Sequence, residues 1–376
     1  MKMNSTRFDK AKRILVSEEV NALLVFEPKN IYYLTGFYSH SPDVPSAVIF
    51  SGDNEATLTV SRIELDRAVE SSWINDVRCY YPYPLKTDDK NEKVDSVIDS
   101  IGAIIEEKGL TESIIGVELS RLPVSTFEGL KRKLPKVGFK DVSKSLWEMR
   151  MYKDITEVEN IQKAVEIAEK GLRTAIEIIS PGTTEMQVAV EVESALRKAG
   201  SQKVLFESMI VSGPKSAYPY AIAGNKKIEQ NELVMVNVAA SYNEYCAKVA
   251  RTIFTGSPHK KHKEIFEVVK QAFNNALQYA KPGVPLGQLD LTARNIIKEK
   301  GYEPFFIHPI GHGIGLDHYE PPVISLNNTD KIREGLVLNL EPAIYIPEFG
   351  GLKIENTILI TEDGNQVLNK LPIETM

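Results

Sequence analysis

The feature that most constrains this chain is a C-terminal stretch, from His308 to Glu355, in which ionisable side chains interrupt apolar runs typical of strands. Glu341 follows the run LVLNL, and Glu355 follows GGLKI. A buried carboxylate is costly unless it is paired, hydrogen-bonded or coordinated. Any fold that buries these strands must therefore bring partner groups to both glutamates, and the rest of the chain has to supply them.

Length, composition and charge describe an ordinary globular protein. The chain has 376 residues, of which 43% are hydrophobic and 26% charged, and its net charge is −6. This length is enough for two or three domains. The negative charge gives no electrostatic case for binding nucleic acid or an anionic membrane surface. No apolar run approaches the roughly 18 residues that a membrane span needs. We therefore expect neither a nucleic-acid nor a membrane partner.

The cysteines and the N-terminal segment predict a cytoplasmic location. Cys79 and Cys246 are the two cysteines, too few for a disulfide framework. The N-terminal segment MKMNSTRFDKAKRILVSEEV is charged throughout and lacks the apolar core of a signal peptide. Both observations favour a reducing compartment.

Apolar periodicity divides the chain into two parts. Residues 1–145 alternate short strand-like runs with helical patterns, which predicts a smaller N-terminal α/β domain. Residues 146–154 form the crossover. Residues 155–376 run as two helices, strands, two helices and strands, an order typical of an α+β fold. In this second part we predict a hairpin from Leu233 to Phe254, which turns at the sequence SYNE.

Several common catalytic motifs are absent. The run GHGIG is not followed by a Lys-Ser/Thr pair or by a long helix, which argues against a nucleotide cradle. No HExxH, CxxC or GxSxG sequence occurs. Three of the six histidines, His308, His312 and His318, lie close together and near the two glutamates. This crowding favours a functional site over isolated core histidines.

Three local patterns then carry a resemblance. They are Asn237-x10-Lys248 followed by Arg251-Thr252, the run GHGIGL with its EPP tail, and Glu341-Pro followed by GLKIEN. Together they resemble the creatinase/prolidase/methionine aminopeptidase superfamily, and the N-terminal part resembles its creatinase and Xaa-Pro dipeptidase/aminopeptidase P branch. The resemblance covers nearly the whole chain. It implies a C-terminal pita-bread fold (the creatinase/aminopeptidase fold), a preceding α/β domain, and a homodimer.

The resemblance also implies which residues form the site. Family peptidases bind two divalent metals through two aspartates, a histidine and two glutamates. The histidine and glutamate positions are His312, Glu341 and Glu355, whereas Asn237 and Lys248 stand at the aspartate positions. Two metals ~3.5–4 Å apart need several anionic oxygens, which an amide and an ammonium do not supply. The resemblance therefore implies a degenerate metal site with no cofactor, and leaves open one weakly bound divalent ion on His312, Glu341 and Glu355.

The family places two further histidines around the substrate. At those positions this chain has Tyr220 and Tyr319, with His318 one residue before the second. The candidate catalytic residues are His312, Glu341, Glu355 and Lys248. The candidate substrate-binding residues are Tyr220, Asn237, His308, His318 and Tyr319. We expect the Lys248 ammonium within ~6 Å of both glutamates, where the family has a metal.

Three functions remain open. The first is a metal-independent, creatinase-like hydrolase of a small amide or amidine. In it His312, a glutamate or Lys248 moves the proton, because a tyrosine such as Tyr220 is a poor base at neutral pH. The second is a metal-dependent Xaa-Pro dipeptidase or aminopeptidase with an altered ligand set. The third is a non-catalytic homologue that binds a peptide or protein. The buried ionisable groups favour an enzyme acting on a small molecule or short peptide.

Overall fold

A computed structural model of the protein describes residues 5–41, 43–52, 55–83, 85–86, 92–93 and 95–374. The chain divides into two compact units, Met1–Arg150 and Met151–Met376. This division lies inside the segment predicted as the crossover. Among the described residues, no helix combines the length and the apolar character that crossing a membrane requires.

The N-terminal unit is a six-stranded mixed sheet with helices. Strand β1 is central and reads ALLV, buried at every position. The strand order is β4-β3-β2-β1-β7-β8, with β1 antiparallel to β2 and parallel to β7. The elements of this unit are α1 (Ser5–Ser17), β1 (Ala22–Val25), α2 (Pro28–Thr35), β2 (Ala47–Phe50), β3 (Ala56–Ser61), α3 (Leu65–Ser71), β4 (Asp76–Tyr80), β5 (Leu85–Lys86), β6 (Glu92–Lys93), α4 (Val97–Glu107), β7 (Ile114–Val117), α5 (Val124–Lys133), β8 (Gly138–Asp141) and α6 (Ser143–Met151).

The C-terminal unit has the predicted order of two helices, strands, two helices and strands. Its first two helices begin at side chains that cap the free backbone N–H groups: Asp154 and Thr184 each form a capping box. The elements are α7 (Ile155–Ile178), α8 (Glu185–Lys198), β9 (Met209–Ser212), β10 (Leu233–Tyr242), β11 (Tyr245–Phe254), α9 (Lys260–Tyr279), α10 (Leu286–Glu299), β12 (Gly311–Gly313), β13 (Glu320–Ile324), β14 (Val337–Leu340), β15 (Ala343–Ile346), β16 (Gly350–Lys353), β17 (Asn356–Ile360) and β18 (Asn365–Val367), with short 3-10 helices at Gly213–Ala217 and Glu303–Phe305.

Two sheets of this unit meet at the centre. Strands β11-β10-β9 form one sheet, and β13-β12-β14-β17-β18 form another. Ala250 of β11 pairs with Glu355, and each residue donates its N–H to the carbonyl of the other, at 3.3 and 3.1 Å. This bridge fixes the backbone of Glu355 beside the hairpin.

The predicted hairpin is formed by β10 and β11. Its turn residues Asn243 and Glu244 have φ of 46° and 68°, the left-handed values that a type I′ turn needs. Even-numbered residues of β10 from Val234 to Ala240 pack with helices α7 and α8 in one apolar cluster. Because side chains alternate along a strand, Asn237 points to the opposite face. Lys248 pairs with Ala239 and therefore lies on the same face as Asn237.

Arg251 of β11 is a fully buried cation that binds the C-terminal segment to the sheets. It donates hydrogen bonds at 2.9–3.0 Å to four backbone carbonyls and one side-chain oxygen: those of Ala250, Glu355, Leu371, Pro372 and Asn356 Oδ1. Burial lowers the pKa of Arg251 to about 10 despite the nearby carboxylates, so the guanidinium stays protonated at neutral pH.

Arg251→Met is expected to lower the free energy of unfolding by about 3 kcal/mol or more, because several buried carbonyls lose their donor at once. The measurement is urea unfolding followed by circular dichroism at neutral pH. Arg173→Met on the exposed face of α7 is the matched control and should change stability by less than about 0.5 kcal/mol. Equal stability of the two variants would contradict this role of Arg251.

Candidate active site

A cavity of about 700 Å³ in the C-terminal unit brings together the residues that the sequence singled out. Eight of the nine line its wall: Tyr220, Asn237, Lys248, His308, His312, His318, Tyr319 and Glu341. The ninth, Glu355, is completely buried next to Lys248. The predicted grouping is therefore present, whereas the catalytic or substrate-binding role of each residue stays a prediction.

The strands explain why these side chains converge. His312 lies on β12 and pairs with Asn339 of β14, and Glu341 directly follows β14. The backbone N–H of Glu341 donates to the Ile310 carbonyl at 2.7 Å. Glu355 comes between β16 and β17, beside the hairpin that carries Lys248. Short, buried strands from both sheets thus hold the ionisable groups on rigid backbone.

Lys248 lies between the two glutamates, as predicted. Its Nζ is 3.0 Å from Glu355 Oε1 and 3.8 Å from Glu341 Oε2. Both distances are well inside the expected range, so the predicted proximity is confirmed. The ammonium therefore offsets part of the repulsion between the carboxylates.

Lys353 is a second cation in the same cluster, and the sequence reasoning missed it. Its Nζ is 2.6 Å from Glu341 Oε2 and 2.7 Å from Glu355 Oε2, so it bridges the two carboxylates. The sequence could have indicated this contact, because Lys353 and Glu355 are two residues apart in an extended segment and share a face. With Lys248, Lys353 makes the cluster two cations and two anions.

The ion pairs keep Glu341, Glu355 and Lys353 charged at neutral pH. Burial by itself would raise the pKa of Glu341, but the ammonium groups of Lys353 and Lys248 outweigh it and hold that pKa well below its usual range. Burial also raises the pKa of Glu355, but the ammonium groups of Lys248 and Lys353 together outweigh this effect and lower that pKa. Burial alone would lower the pKa of Lys353, but the two glutamates raise it well above its ordinary value.

His312 connects this cluster to the cavity. Its Nδ1 is 2.7 Å from the Gly313 carbonyl, which favours the tautomer with hydrogen on Nδ1. Nε2 then accepts from Lys248 Nζ at 3.3 Å, and it also lies 3.3 Å from Glu341 Oε1. The Tyr319 ring packs against the imidazole with a centroid distance of 4.2 Å. The imidazole is thus fixed on both sides.

Two asparagines complete the buried surroundings. Asn339, which the sequence reasoning missed, donates to Glu355 Oε1 and accepts from Thr357 Oγ1 at 3.0 Å. An asparagine inside the apolar run LVLNL was its only signal. Asn237 is nearly buried, and its Oδ1 has no hydrogen-bond partner among the residues that the structure describes.

The remaining predicted residues also line the cavity. His308 lies beside the Tyr345 ring at 5.7 Å, and burial lowers the pKa of His308. The His318 ring contacts Phe206 at a centroid distance of 6.0 Å. Tyr220 is almost fully exposed, so it lies at the mouth of the cavity rather than at its floor.

Comparison with protein families assigns both parts of the chain. The model of metallopeptidase family M24 matches residues 159–362, more than half of the chain. The chain belongs to metallopeptidase family M24. A second model, the creatinase/prolidase N-terminal domain, matches residues 7–152 of this M24 protein. The predicted superfamily, the pita-bread domain and the preceding N-terminal domain are thereby confirmed.

Individual relatives of this M24 protein match it over nearly their full length. It is 37% identical over 370 residues to an Xaa-Pro dipeptidase of Pyrococcus furiosus, with 98% of this chain and 99% of the relative covered. The crystal structure of a prolidase from Pyrococcus horikoshii OT3 superimposes with a TM-score of 0.87 at 36% identity, covering 98% and 99% of the two chains. An X-Pro aminopeptidase from Thermotoga maritima has a TM-score of 0.85 at 30% identity, covering 96% and 98%.

The expectation of no cofactor is wrong. M24 is a family of metallopeptidases, so a divalent metal is the cofactor that family membership implies. The prediction rested on Asn237 and Lys248 standing at two ligand positions, and two positions in one sequence do not outweigh similarity along the whole chain. The loss of the metal site stays a prediction.

Lysines already contact the two glutamates that stand at the M24 ligand positions. Each glutamate is already paired with Lys353 and Lys248, and an ammonium next to these oxygens repels a dication. Among the described residues, no three His, Cys, Asp or Glu side chains form a group suited to a metal ion. As these side chains stand, they do not fit a pair of divalent ions.

Lys353→Met is expected to lower the free energy of unfolding by about 3–5 kcal/mol at neutral pH, because two buried carboxylates lose a shared cation. The lowered pKa values of Glu341 and Glu355 mean that their ion pairs contribute stability at neutral pH and that this stability is lost as the pH falls through the folded-state values. The difference between wild type and variant should therefore narrow on acidification. Urea unfolding at pH 7 and at about pH 2.5, well below the ordinary glutamate pKa of about 4.3, measures it.

Lys353→Arg keeps the charge and is the matched control, which should retain most of the stability at pH 7. In Lys353→Met, infrared spectroscopy should also detect a protonated carboxyl group, because two adjacent carboxylates with one cation favour sharing a proton. An equal loss of stability at both pH values would show that Lys353 acts through packing alone.

Proposed function

We propose that this chain binds and hydrolyses short peptides, with dipeptides of the Xaa-Pro type as its substrate class. The observation that carries the proposal is the cavity of about 700 Å³ that ends on the side chains of Lys248, His312 and Glu341. Cavities of this size bury most of a small organic ligand. The full-length relatives named Xaa-Pro dipeptidase support the substrate class.

The proposed roles follow from distances within the cluster. His312 Nε2 and Glu341 Oε1 are 3.3 Å apart, so a proton that Nε2 accepts from the attacking group would be held between the imidazole and the carboxylate. The ammonium of Lys248 borders the cavity, where it can stabilise negative charge on a peptide carbonyl oxygen. His308 and Tyr319 on the wall are placed to contact the ligand.

A second candidate function is peptide binding without hydrolysis, and one observation favours it. The pKa of Glu341 is held well below its usual range, and a carboxylate with a low pKa is a weak general base. Lys353 and Glu341 also satisfy each other at 2.6 Å. In this function Lys248, Lys353 and Glu341, which line the cavity, bind the polar backbone of a peptide and leave the peptide bond intact.

The two functions differ in what happens to a bound dipeptide. Calorimetry with Leu-Pro and Gly-Pro should detect binding in either case, and liquid chromatography of released proline, with and without added Mn²⁺ or Co²⁺, should detect turnover only in the first. Glu341→Gln is expected to lower turnover by at least about 100-fold, because the proton partner of His312 is lost. Binding without released proline under all metal conditions would favour the second function, and absence of binding would contradict both.

Asn237→Asp combined with Lys248→Asp is expected to create binding of a divalent metal, because it adds two carboxylates and removes one ammonium. Calorimetric titration with Mn²⁺ and metal analysis after dialysis measure this without an activity assay. Lys248→Met, which removes the cation without adding an acid, is the control and should bind Mn²⁺ more weakly than the double variant. No gain in the double variant would contradict the placement of Asn237 and Lys248 at the two aspartate positions or the assumed ligand shell.

Two further expectations are part of this proposal. Cys79 and Cys246 are both free thiols, as in proteins of a reducing compartment, which supports a cytoplasmic location. The homodimer rests on the family resemblance, and light scattering after size-exclusion chromatography measures it.

A further inference from the structure

A buried ion pair outside the cavity adjoins the strand that carries His312. Lys153 Nζ lies 3.0 Å from Glu320 Oε2, and the two side chains are only 1% and 2% exposed. Both residues belong to the C-terminal unit, and neither lines the cavity. A buried ion pair adds little net stability, because the desolvation of both charges offsets their attraction. The pair therefore calls for a role other than stability.

The Glu320 carboxylate holds the segment 314–319, which joins β12 to β13. Its Oε1 accepts the N–H of Asp317 at 2.9 Å, and the N–H of Gly315 donates to the Asp317 carbonyl at 3.1 Å. A Cβ atom at Gly315 would lie 2.8 Å from Glu320 Oε2 and 2.9 Å from Lys153 Cε. The last glycine of the run GHGIG thus lets the backbone of this segment pack directly on the ion pair.

The same glutamate is connected to the His312 imidazole by two routes. Glu320 pairs with Gly313 across β12 and β13, and the Gly313 carbonyl lies 2.7 Å from His312 Nδ1. Tyr319, which directly precedes Glu320, packs its ring on the imidazole with a centroid distance of 4.2 Å. The register of the two strands shifts between His312 and Gly313, so regular strand pairing alone does not fix the histidine.

Lys153 itself is held by backbone contacts on both sides. Its N–H donates to the Gly335 carbonyl at 2.8 Å, and its Nζ donates to the Met151 carbonyl at 3.3 Å. The preceding residue, Tyr152, forms a β-bridge with Leu336. The ammonium therefore meets Glu320 from a fixed backbone and needs little ordering to do so.

We propose that Glu320 is a positioning residue for His312, and that Lys153 is the cation that keeps the Glu320 carboxylate buried against the segment 314–319. The pair acts through the Gly313 carbonyl and the Tyr319 ring, and it touches no ligand. The inference rests on the proposed function, in which Nε2 of His312 accepts a proton. The position of the imidazole, however, can be measured without any substrate.

The test compares two double variants that both remove the charges. Lys153→Met/Glu320→Gln keeps an oxygen that can accept the Asp317 N–H, whereas Lys153→Met/Glu320→Met does not. Neither variant leaves a buried charge without its partner, so both are expected to fold. Heteronuclear NMR of the Cε1–H groups reports on the six histidines, and His312→Gln assigns the resonance of interest.

The His312 resonance should stay near its wild-type position in Lys153→Met/Glu320→Gln and shift in Lys153→Met/Glu320→Met, because the Tyr319 ring moves relative to the imidazole. Hydrogen exchange at the Asp317 amide should become about fivefold faster or more in the second variant only, since one hydrogen bond is lost. With Leu-Pro as substrate, kcat of the second variant should fall about tenfold or more while KM stays within about twofold, because a misplaced proton acceptor slows the chemical step.

Two single variants are the controls. Lys163→Met removes the cation of an exposed ion pair with the same distance of 3.0 Å, between Lys163 and Glu166 on α7. Leu24→Ala weakens the buried strand β1 of the N-terminal unit and controls for lower stability. Both should leave the His312 resonance and the Asp317 exchange unchanged.

Three results overturn the inference. They are a His312 resonance that stays in place in both double variants, equal shifts in both, which indicate packing rather than the hydrogen bond, and a shift in Leu24→Ala as large as in Lys153→Met/Glu320→Met. Failure of the proposed function gives a different result. If wild type neither binds nor hydrolyses a dipeptide, that function fails, and the resonance and exchange comparisons still support or overturn the role of Glu320.

Discussion

The ammonium of Lys353 between Glu341 and Glu355 is the contact on which the candidate site depends. Two carboxylates buried this close together require positive charge, and Lys353 bridges them while Lys248 approaches from the hairpin. Because both glutamates follow short buried strands, the backbone cannot separate them to relieve the repulsion. The strands of the C-terminal unit bring the two carboxylates together, and the two lysines offset the repulsion that results. The fold of this unit therefore depends on both cations.

The hairpin of β10 and β11 has one face that packs against helices and one face that carries residues of the candidate site. Its even-numbered valines on β10 pack with α7 and α8, which leaves Asn237 and Lys248 on the face towards Glu355. A shift of register by one residue would exchange the two faces and bury Lys248 among apolar helices. The left-handed turn at Asn243 and Glu244 and the backbone bridge from Ala250 to Glu355 both oppose that shift.

The sequence predicted the architecture and most of the site. Strand periodicity, helix periodicity and family motifs can all be read from residues that are close in sequence or that follow a regular pattern. The sequence placed His312, Glu341 and Lys248 in one cluster, and the distances agree. It missed Lys353 and Asn339, since a lysine and an asparagine in strand-like runs have ordinary solvent-facing explanations until the opposite wall is known. It was also wrong about the cofactor, because two unusual ligand positions were given more weight than similarity along the whole chain.

The remaining chemical question concerns the lysines rather than the glutamates. The carboxylates and the histidine that family resemblance associates with the site are all present, and the departures from that resemblance among the ligand positions are Asn237 and Lys248 in the place of two aspartates. An ammonium and a metal ion both stabilise adjacent carboxylates, but an ammonium also lowers their basicity and donates hydrogen bonds in fixed directions. Because Lys353 contacts both Glu341 and Glu355, its single ammonium lowers the basicity of the two carboxylates together.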